Sequence, residues 1–460
     1  MATANLRLSH TESVFLNCTC YTSTMALKQT VKKLIPKNVF RKIEPYGHLA
    51  EAALLQAKYG FPAKNLRVIG ITGTDGKTTT CFMVYQMLKN SGCNVALVST
   101  VSVDYADGRG LQPSPTHMTT ASAGQLASIL KKIAKNRPDW VVLETSSHAL
   151  AQYRVLGVPY SIAVLTNITH EHLDYHGTFK NYQKAKRRLF TLANKNSKGL
   201  RLGVINADDG SAELFKSAIS NPVMYGINRG ELTASEIKLS PNGVTFVAQT
   251  KEAPEESYKI TLTVPGKFNV YNALAAIAVG KACGLSKEQI EKGLASLKTV
   301  PGRMSVLDIK ERFDVVVDYA VTPAALENVL KTAQDTYKGN VRLVFGATGD
   351  RDKSKRPIMG KVAAKYADVV YLTDDETYTE DPSTIRNAVY KGIEAAGGQN
   401  KCKLIEDREL AIKTALTDAK KGDVILITGL GHQKDRNMGG KLITWSDETV
   451  VKDVLADLTD

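Results

Sequence analysis

The sequence predicts an α/β fold: a central domain with a P-loop on a parallel sheet, followed by a Rossmann-like C-terminal α/β domain. Three observations predict it. From Leu66 onward, short continuously apolar strands alternate with helices, the pattern of a parallel sheet covered on both faces. A glycine loop, Gly70-Ile-Thr-Gly73-Thr-Asp-Gly76-Lys77-Thr78-Thr79, lies between the first strand and its helix. Val300-Pro-Gly-Arg303 then breaks the pattern before a fresh set of strands.

Taken in order, strands are predicted at Arg67–Thr72, Val95–Ser99, Trp140–Glu144, Ile162–Thr166 and Leu202–Asn206, with a helix opening at Thr78. Residues 232–264 alternate as antiparallel hairpins do, and Asn269 to Cys283 is an alanine-rich helix. Beyond the Pro-Gly break, strands at Phe313–Asp318, Val341–Phe345, Val369–Thr373 and Val424–Thr428 alternate with helices near 322–335, 357–366, 383–396 and 408–420. The predicted domains are therefore residues 49–299 (central) and 300–460 (C-terminal), after an N-terminal extension, residues 1–48. Residues 1–24, rich in Ser, Thr and Asn, read as disordered. Residues 26–45 are basic, weakly amphipathic and interrupted by Pro36, with a helix following from His48 to Tyr59. That segment reads as a solvated surface helix or, more sharply, as a contact with anionic lipid headgroups.

With 460 residues, 43% hydrophobic and 23% charged, the chain has the composition of a soluble protein of two or three domains. No apolar run approaches the roughly 18 residues that span a bilayer, and no secretory signal opens the chain, so a cytoplasmic location is expected. The six cysteines are scattered and read as free thiols. The formal net charge is +14. Much of it crowds into Lys28, Lys32, Lys33, Lys37, Arg41 and Lys42, without aromatic-interleaved basic motifs elsewhere, so nucleic acid is not an expected partner. A monomer is expected.

The glycine loop carries the first chemistry. Glycines at 73 and 76 let the backbone approach phosphate, Thr74, Asp75 and Thr79 complete the loop, and the following helix adds a partial positive charge. Lys77 can reach the β- and γ-phosphates and Thr78 can ligate magnesium. Ile71 stands where the longer form of the motif has its first glycine, leaving the shorter G-x-x-G-K-T. A glycine turn with a surface lysine is the plainer alternative.

Glu144 ends an apolar strand, so it emerges at the carboxyl edge of the sheet, where ligands of open α/β sheets bind. A carboxylate there suits magnesium, while helix capping is the competing role. After the next strand come His170, His172 and His176. Their spacing does not reproduce a zinc motif, and a single histidine contributing to a phosphate–metal site is the economical reading. The other two are expected to be packed or exposed.

Together with Glu144-Thr-Ser-Ser-His-Ala-Leu and Asn167-Ile-Thr-His-Glu-His-Leu-Asp-Tyr-His, several further segments resemble the Mur ligase family, most closely its MurE branch, the UDP-N-acetylmuramoyl-tripeptide synthetases. They are Ala185-Lys186-Arg-Arg-Leu-Phe190, Gly266-Lys-Phe-Asn269-Val-Tyr-Asn272, Val-Pro-Gly-Arg303-Met and Phe345-Gly-Ala-Thr-Gly-Asp-Arg-Asp-Lys-Ser-Lys-Arg-Pro. The resemblance implies an ATP- and magnesium-dependent ligase. A muramoyl-dipeptide carboxylate would be phosphorylated to an acyl phosphate, which an amino acid amine then displaces. It implies Lys77 and Thr78 on the phosphates, and Thr78, Glu144 and His172 as magnesium ligands. Lys186 would be a carbamylated lysine that helps to position the metal. Asn272, Arg303 and Asp318 would close over the nucleotide, and Thr119, Thr120, Ser146 and Arg154 would contact the sugar-peptide acceptor.

Three departures qualify the resemblance. Only 69 residues precede Gly70, and they do not suggest the domain with which the family grips its uridine nucleotide. The family's Asp-Asn-Pro-Arg, which selects meso-diaminopimelate, aligns with Asp375-Glu376-Thr-Tyr378. Tyrosine cannot make an arginine's bidentate carboxylate contact, so lysine or ornithine is the expected amine. Last, Val321 and Gln433 stand where the family has histidine and glutamate. Another Mur-like ligase, of folylpolyglutamate or cyanophycin type, and a non-catalytic nucleotide-binding partner subunit are the alternatives; joint retention of Lys77, Glu144, His172 and Lys186 speaks against the latter.

Overall fold

The computed structural model describes residues 37–459 except His117, Glu252 and Lys310, so the segments 1–24 and 26–36 lie outside it. The central domain is built on one sheet of eleven strands. In chain order these are β1 (Val68–Thr72), β2 (Val95–Val98), β3 (Ser102–Asp104), β4 (Gln112–Pro113), β5 (Trp140–Glu144), β6 (Tyr160–Leu165), β7 (Leu202–Asn206), β8 (Asn221–Gly226), β9 (Leu232–Ser240), β10 (Gly243–Thr250) and β11 (Ala253–Leu262). Their spatial order is β11-β10-β9-β8-β7-β6-β1-β5-β2-β3-β4. From β2 through β9 the neighbours run parallel, while the β9–β10–β11 and β2–β3–β4 ends are antiparallel. Every residue of β1, β5 and β6 is buried, which is why they read as unbroken apolar runs rather than alternating ones.

The second domain holds six strands: β12 (Ser305–Val306), β13 (Asp314–Asp318), β14 (Val341–Phe345), β15 (Val369–Leu372), β16 (Cys402–Leu404) and β17 (Val424–Thr428), ordered β12-β13-β17-β14-β15-β16. All its pairs are parallel except β12–β13. A small hairpin, β18 (Asp435–Met438) and β19 (Lys441–Thr444), follows. The Pro-Gly break lies just before β12, as expected.

Helix starts obey local rules. Ser122, Ser286, Thr322 and Asp381 cap their helices with side-chain oxygens, and Pro323 and Pro382 occupy first positions, where a missing N–H costs nothing. The N-terminal expectation needs correction. One helix, Lys37–Tyr59, runs through Pro45 and across the boundary placed at residue 48. Its packing on the helix Ala123–Lys135, where Leu55 lies over Gly124, offsets the hydrogen bond that Pro45 removes. Among the described residues no helix is long and apolar enough to cross a membrane.

Candidate active site

The glycine loop leaves the carboxyl end of β1, at the centre of the large sheet, and its lysine opens the helix Lys77–Asn90. Two glycines are obligatory by geometry. A Cβ on Gly73 would stand 1.8 Å from Thr166 Oγ1. One on Gly76, whose φ is 80°, would stand 2.4 Å from Asn272 Oδ1. The loop is anchored from the end of β6: Asn167 Oδ1 accepts the Asp75 N–H (2.9 Å), and Thr166 Oγ1 donates to the Asp75 carbonyl (2.6 Å). Thr74 shares a hydrogen bond with Tyr182 (2.9 Å).

This loop forms one wall of a cleft of about 990 Å³ between the two domains. At its floor Thr78 Oγ1 donates to Glu144 Oε1 (3.0 Å), while Glu144 Oε2 accepts the Thr100 N–H (2.8 Å). Lys77 Nζ donates to the Thr74 carbonyl (2.7 Å), folded back over the loop it would leave for phosphate. His172 lines the same cleft in the left-handed conformation (φ 57°). Burial, then the charges of His148, Lys186, Lys77 and Lys355, push its imidazole down to about 2, so it is neutral and able to act as a ligand. The Thr78 hydroxyl and Glu144 carboxylate oxygens at the floor are the donor types that suit a hard divalent cation. His176 is buried against Ser147 (3.1 Å), whereas His170 is exposed and stacks on Phe179.

Lys186 sits behind the loop. Its Nζ donates to the Gly73 carbonyl (2.5 Å) and stands 4.7 Å from the Tyr182 ring centre. Burial first, and Lys77 second, hold its amine well below the lysine range.

The second domain closes over the loop through three contacts. Arg303 Nη2 donates to Thr78 Oγ1 (3.2 Å), Thr322 Oγ1 donates to Asp75 Oδ1 (3.2 Å), and Lys355 Nζ pairs with Glu171 Oε1 (3.2 Å) with both side chains buried. Asp318, pushed up to about 6 by burial against the opposing pull of Arg303, accepts the Met304 N–H (2.6 Å) and so shapes the turn that carries Arg303. Asn272 lines the cleft beneath Gly76.

The acceptor-side residues divide. Thr119 lines the cleft. Thr120 does not: its hydroxyl donates to the Glu144 carbonyl and accepts the Ser146 N–H, both at 2.9 Å. Ser146 caps the helix Ser147–Ala151, and Arg154 donates to the Thr120 carbonyl (2.9 Å), so these three stand on the flank of the cleft. In the second domain Glu376 and Tyr378 line the cleft, but Asp375 is buried under Gly429, where its Oδ1 accepts the Glu376 N–H (2.6 Å). Asp375 therefore corrects the expectation of a substrate contact: a carboxylate so enclosed orients Glu376 rather than meeting a ligand.

Arg351, Thr322, Glu171, Lys355, Asn167 and Gln433 also belong to the cleft. The sequence reading assigned them no role, although Glu171 and Asn167 lie in the histidine segment and Arg351 and Lys355 in the segment after β14. Charged residues inside those loops were the available signal.

Fold and site together define a P-loop enzyme whose phosphate cleft is closed by a second α/β domain. Residues 71–280 match the Mur ligase middle domain, and residues 302–431 match the Mur ligase glutamate ligase domain. The UDP-N-acetylmuramoyl-L-alanyl-D-glutamate–2,6-diaminopimelate ligase of Geobacillus thermodenitrificans is 38% identical over 419 residues, 90% of this chain and 84% of the relative. A solved structure of a ligase of that name superposes with a TM-score of 0.60 at 31% identity, covering 91% of this chain and 83% of the other. The MurF ligase of Thermotoga maritima in complex with ADP gives 0.64 at 21% identity, over 89% and 83%, a likeness of fold alone. The chain belongs to the Mur ligase family.

Proposed function

We propose that this protein is an ATP- and magnesium-dependent amide ligase of peptidoglycan precursor synthesis, working in the cytoplasm on a UDP-N-acetylmuramoyl-dipeptide-like acceptor. The observation that carries this reading is the junction of Thr78, Glu144 and Arg303 at the loop, where elements of both domains meet at one phosphate position. Family relatives of this name support the reaction class.

ATP enters as substrate. Loop amides and Lys77 bind its phosphates, with Arg303 and Asn272 lining the same cleft. Magnesium held by Thr78, Glu144 and His172 would neutralise phosphate charge. Lys186 suits carbamylation because burial favours its neutral amine: the nitrogen adds to CO2, a proton leaves, and a neutral amine becomes a carbamate anion that would help to position magnesium. The acceptor carboxylate takes the γ-phosphoryl group and releases ADP. The amine then attacks the acyl carbon, and phosphate leaves. Closure through Asp75–Thr322 and Glu171–Lys355 excludes water while the acyl phosphate exists.

The amine comes from the Glu376 side of the cleft. Glu376 is buried, and its carboxylate accepts from the Asn437 N–H (3.1 Å), Tyr378 Oη (3.3 Å) and Gln433 Nε2 (3.4 Å), neutral donors all. Arg351 lies with its guanidinium 4.9 Å from the Tyr378 ring centre. One guanidinium for one carboxylate, and one carboxylate for a side-chain ammonium, favour lysine or ornithine.

The test is phosphate release with ATP and magnesium, using lysine, ornithine and meso-diaminopimelate against a UDP-linked and an undecorated muramoyl dipeptide. Release that requires both acceptor and amine, with lysine or ornithine leading in kcat/KM, is expected. No acceptor-dependent release with any amine would sink the reading; equal or better use of meso-diaminopimelate would sink the amine assignment.

A further inference from the structure

Arg303 reaches the phosphate loop from the second domain on few bonds. Its guanidinium donates to Thr78 Oγ1 (3.2 Å) and to the Gly302 carbonyl of its own turn (3.3 Å), both uncharged partners. Asp318, close enough to feel its charge, spends Oδ2 on the Met304 N–H instead. Two bonds at the long end of the range leave a flexible side chain free to swing.

The ring of Tyr319 supplies the missing constraint. The Arg303 guanidinium carbon lies 4.6 Å from its centre, within the range where an aromatic face attracts a cation. Three segments in turn fix that ring. β13 and β17 run in parallel with Asp318 beside Thr428, so the residue after β13 emerges next to the turn after β17. The Tyr319 N–H donates to the Gly302 carbonyl (2.9 Å), which ties it to the turn carrying Arg303. Gly431, at φ 57°, abuts it so closely that a Cβ there would stand 2.8 Å from Tyr319 Cβ. His432 packs against it with ring centres 5.6 Å apart. Tyr319, Arg303 and Thr78 all line the cleft.

A carboxylate would hold a guanidinium more tightly, but it would neutralise the charge that phosphate needs. An aromatic face attracts the cation and leaves its net charge and its N–H groups for the ligand. We propose that Tyr319 is a positioning residue of the nucleotide site: its ring holds Arg303 against the phosphate loop, and its hydroxyl takes no part. This rests on the nucleotide reading of the cleft and is independent of which acceptor and amine are used.

The experiment is a double-mutant cycle, read calorimetrically as the dissociation constant for ATP with magnesium. Acceptor and amine are left out, so that no turnover intervenes. Tyr319→Leu should weaken ATP binding about tenfold, within the range of a desolvated cation–π contact. In an Arg303→Ala background the same change should cost less than about twofold, because the side chain that the ring positions is gone. Tyr319→Phe keeps the ring and should stay within about twofold of the parent. The proposal is overturned by a parent that binds no ATP, by parental affinity in Tyr319→Leu, by equal losses with and without Arg303, or by a Tyr319→Phe protein as weak as Tyr319→Leu. A thermal midpoint lowered by about 10 °C or more in Tyr319→Leu would assign the ring to the fold instead. ATP binding by the parent with no acceptor-dependent phosphate release would overturn the ligase reading and leave this cycle intact.

Discussion

Replacing Lys186 by methionine separates a catalytic role from a structural one. The parent amine is 2% exposed and donates one hydrogen bond, to the Gly73 carbonyl. Leaving that carbonyl unpaired costs about 1–3 kcal/mol. Methionine has similar length, suits the face of Tyr182, and removes the desolvation that depresses the amine, which offsets much of that loss. The net change in stability is therefore expected to stay within about 1 kcal/mol. Activity should behave otherwise. If Lys186 becomes the anion that positions the metal, its loss costs about 3–4 kcal/mol of transition-state stabilisation, or 10²–10³ in kcat. The assay pairs urea denaturation with acceptor-dependent phosphate release at saturating substrates, repeated at high bicarbonate. The expected result is a native-like midpoint, a kcat down by two to three orders of magnitude, and no recovery with bicarbonate. A variant that keeps parental kcat would refute the role; one that unfolds by about 3 kcal/mol or more would show that Lys186 serves the loop's structure instead.

Lys77→Ala should lower kcat about a thousandfold, because the transferring phosphoryl group loses its principal side-chain cation; near-parental ATP consumption would contradict the phosphate-loop assignment. Lys355→Met strands Glu171 in the domain junction, a change of about 3–5 kcal/mol if the carboxylate stays charged. Since burial already raises the Glu171 pKa, part is relieved by protonation, and a rise in KM for ATP of about tenfold is expected. An unchanged KM would remove this pair from closure. His176, pushed to about 4 by burial and then by Lys186, binds fewer protons folded than unfolded between about pH 4 and 6.5. Its contribution is complete above pH 6.5 and is lost as pH falls towards 4. His176→Gln should therefore gain stability relative to the parent across that window by about 1–2 kcal/mol after allowance for solvent screening. Parallel pH curves for the two proteins would exclude this.

Residues that speak through local periodicity were legible without coordinates. The strands Trp140–Glu144, Leu202–Asn206, Val341–Phe345 and Val424–Thr428 stand at their expected bounds, because a strand buried on both faces must be apolar throughout. The glycine loop was legible for a similar reason: Gly73 and Gly76 stand where no side chain fits. The helix through Pro45 was not, since tertiary packing there overrides the local penalty of proline. Nor were the short strands β3, β4, β12 and β16, which pair at sheet edges and carry little pattern of their own.

Two α/β domains, a phosphate loop at the carboxyl edge of a strand, and the residue types able to serve it are all written in the amino-acid order. Those features are encoded within a few residues of one another, in periodicity and in turn chemistry. Which of those residues share the cleft follows from long-range packing instead. Thr119, Glu376 and Tyr378 face it, whereas Thr120 and Asp375 spend their polar atoms on backbone amides and carbonyls nearby. It also paired Glu171 with Lys355 and Asp75 with Thr322, partners 184 and 247 residues apart in the chain. No local pattern records such a pairing, because it exists only once two separately folded sheets have brought their edges together.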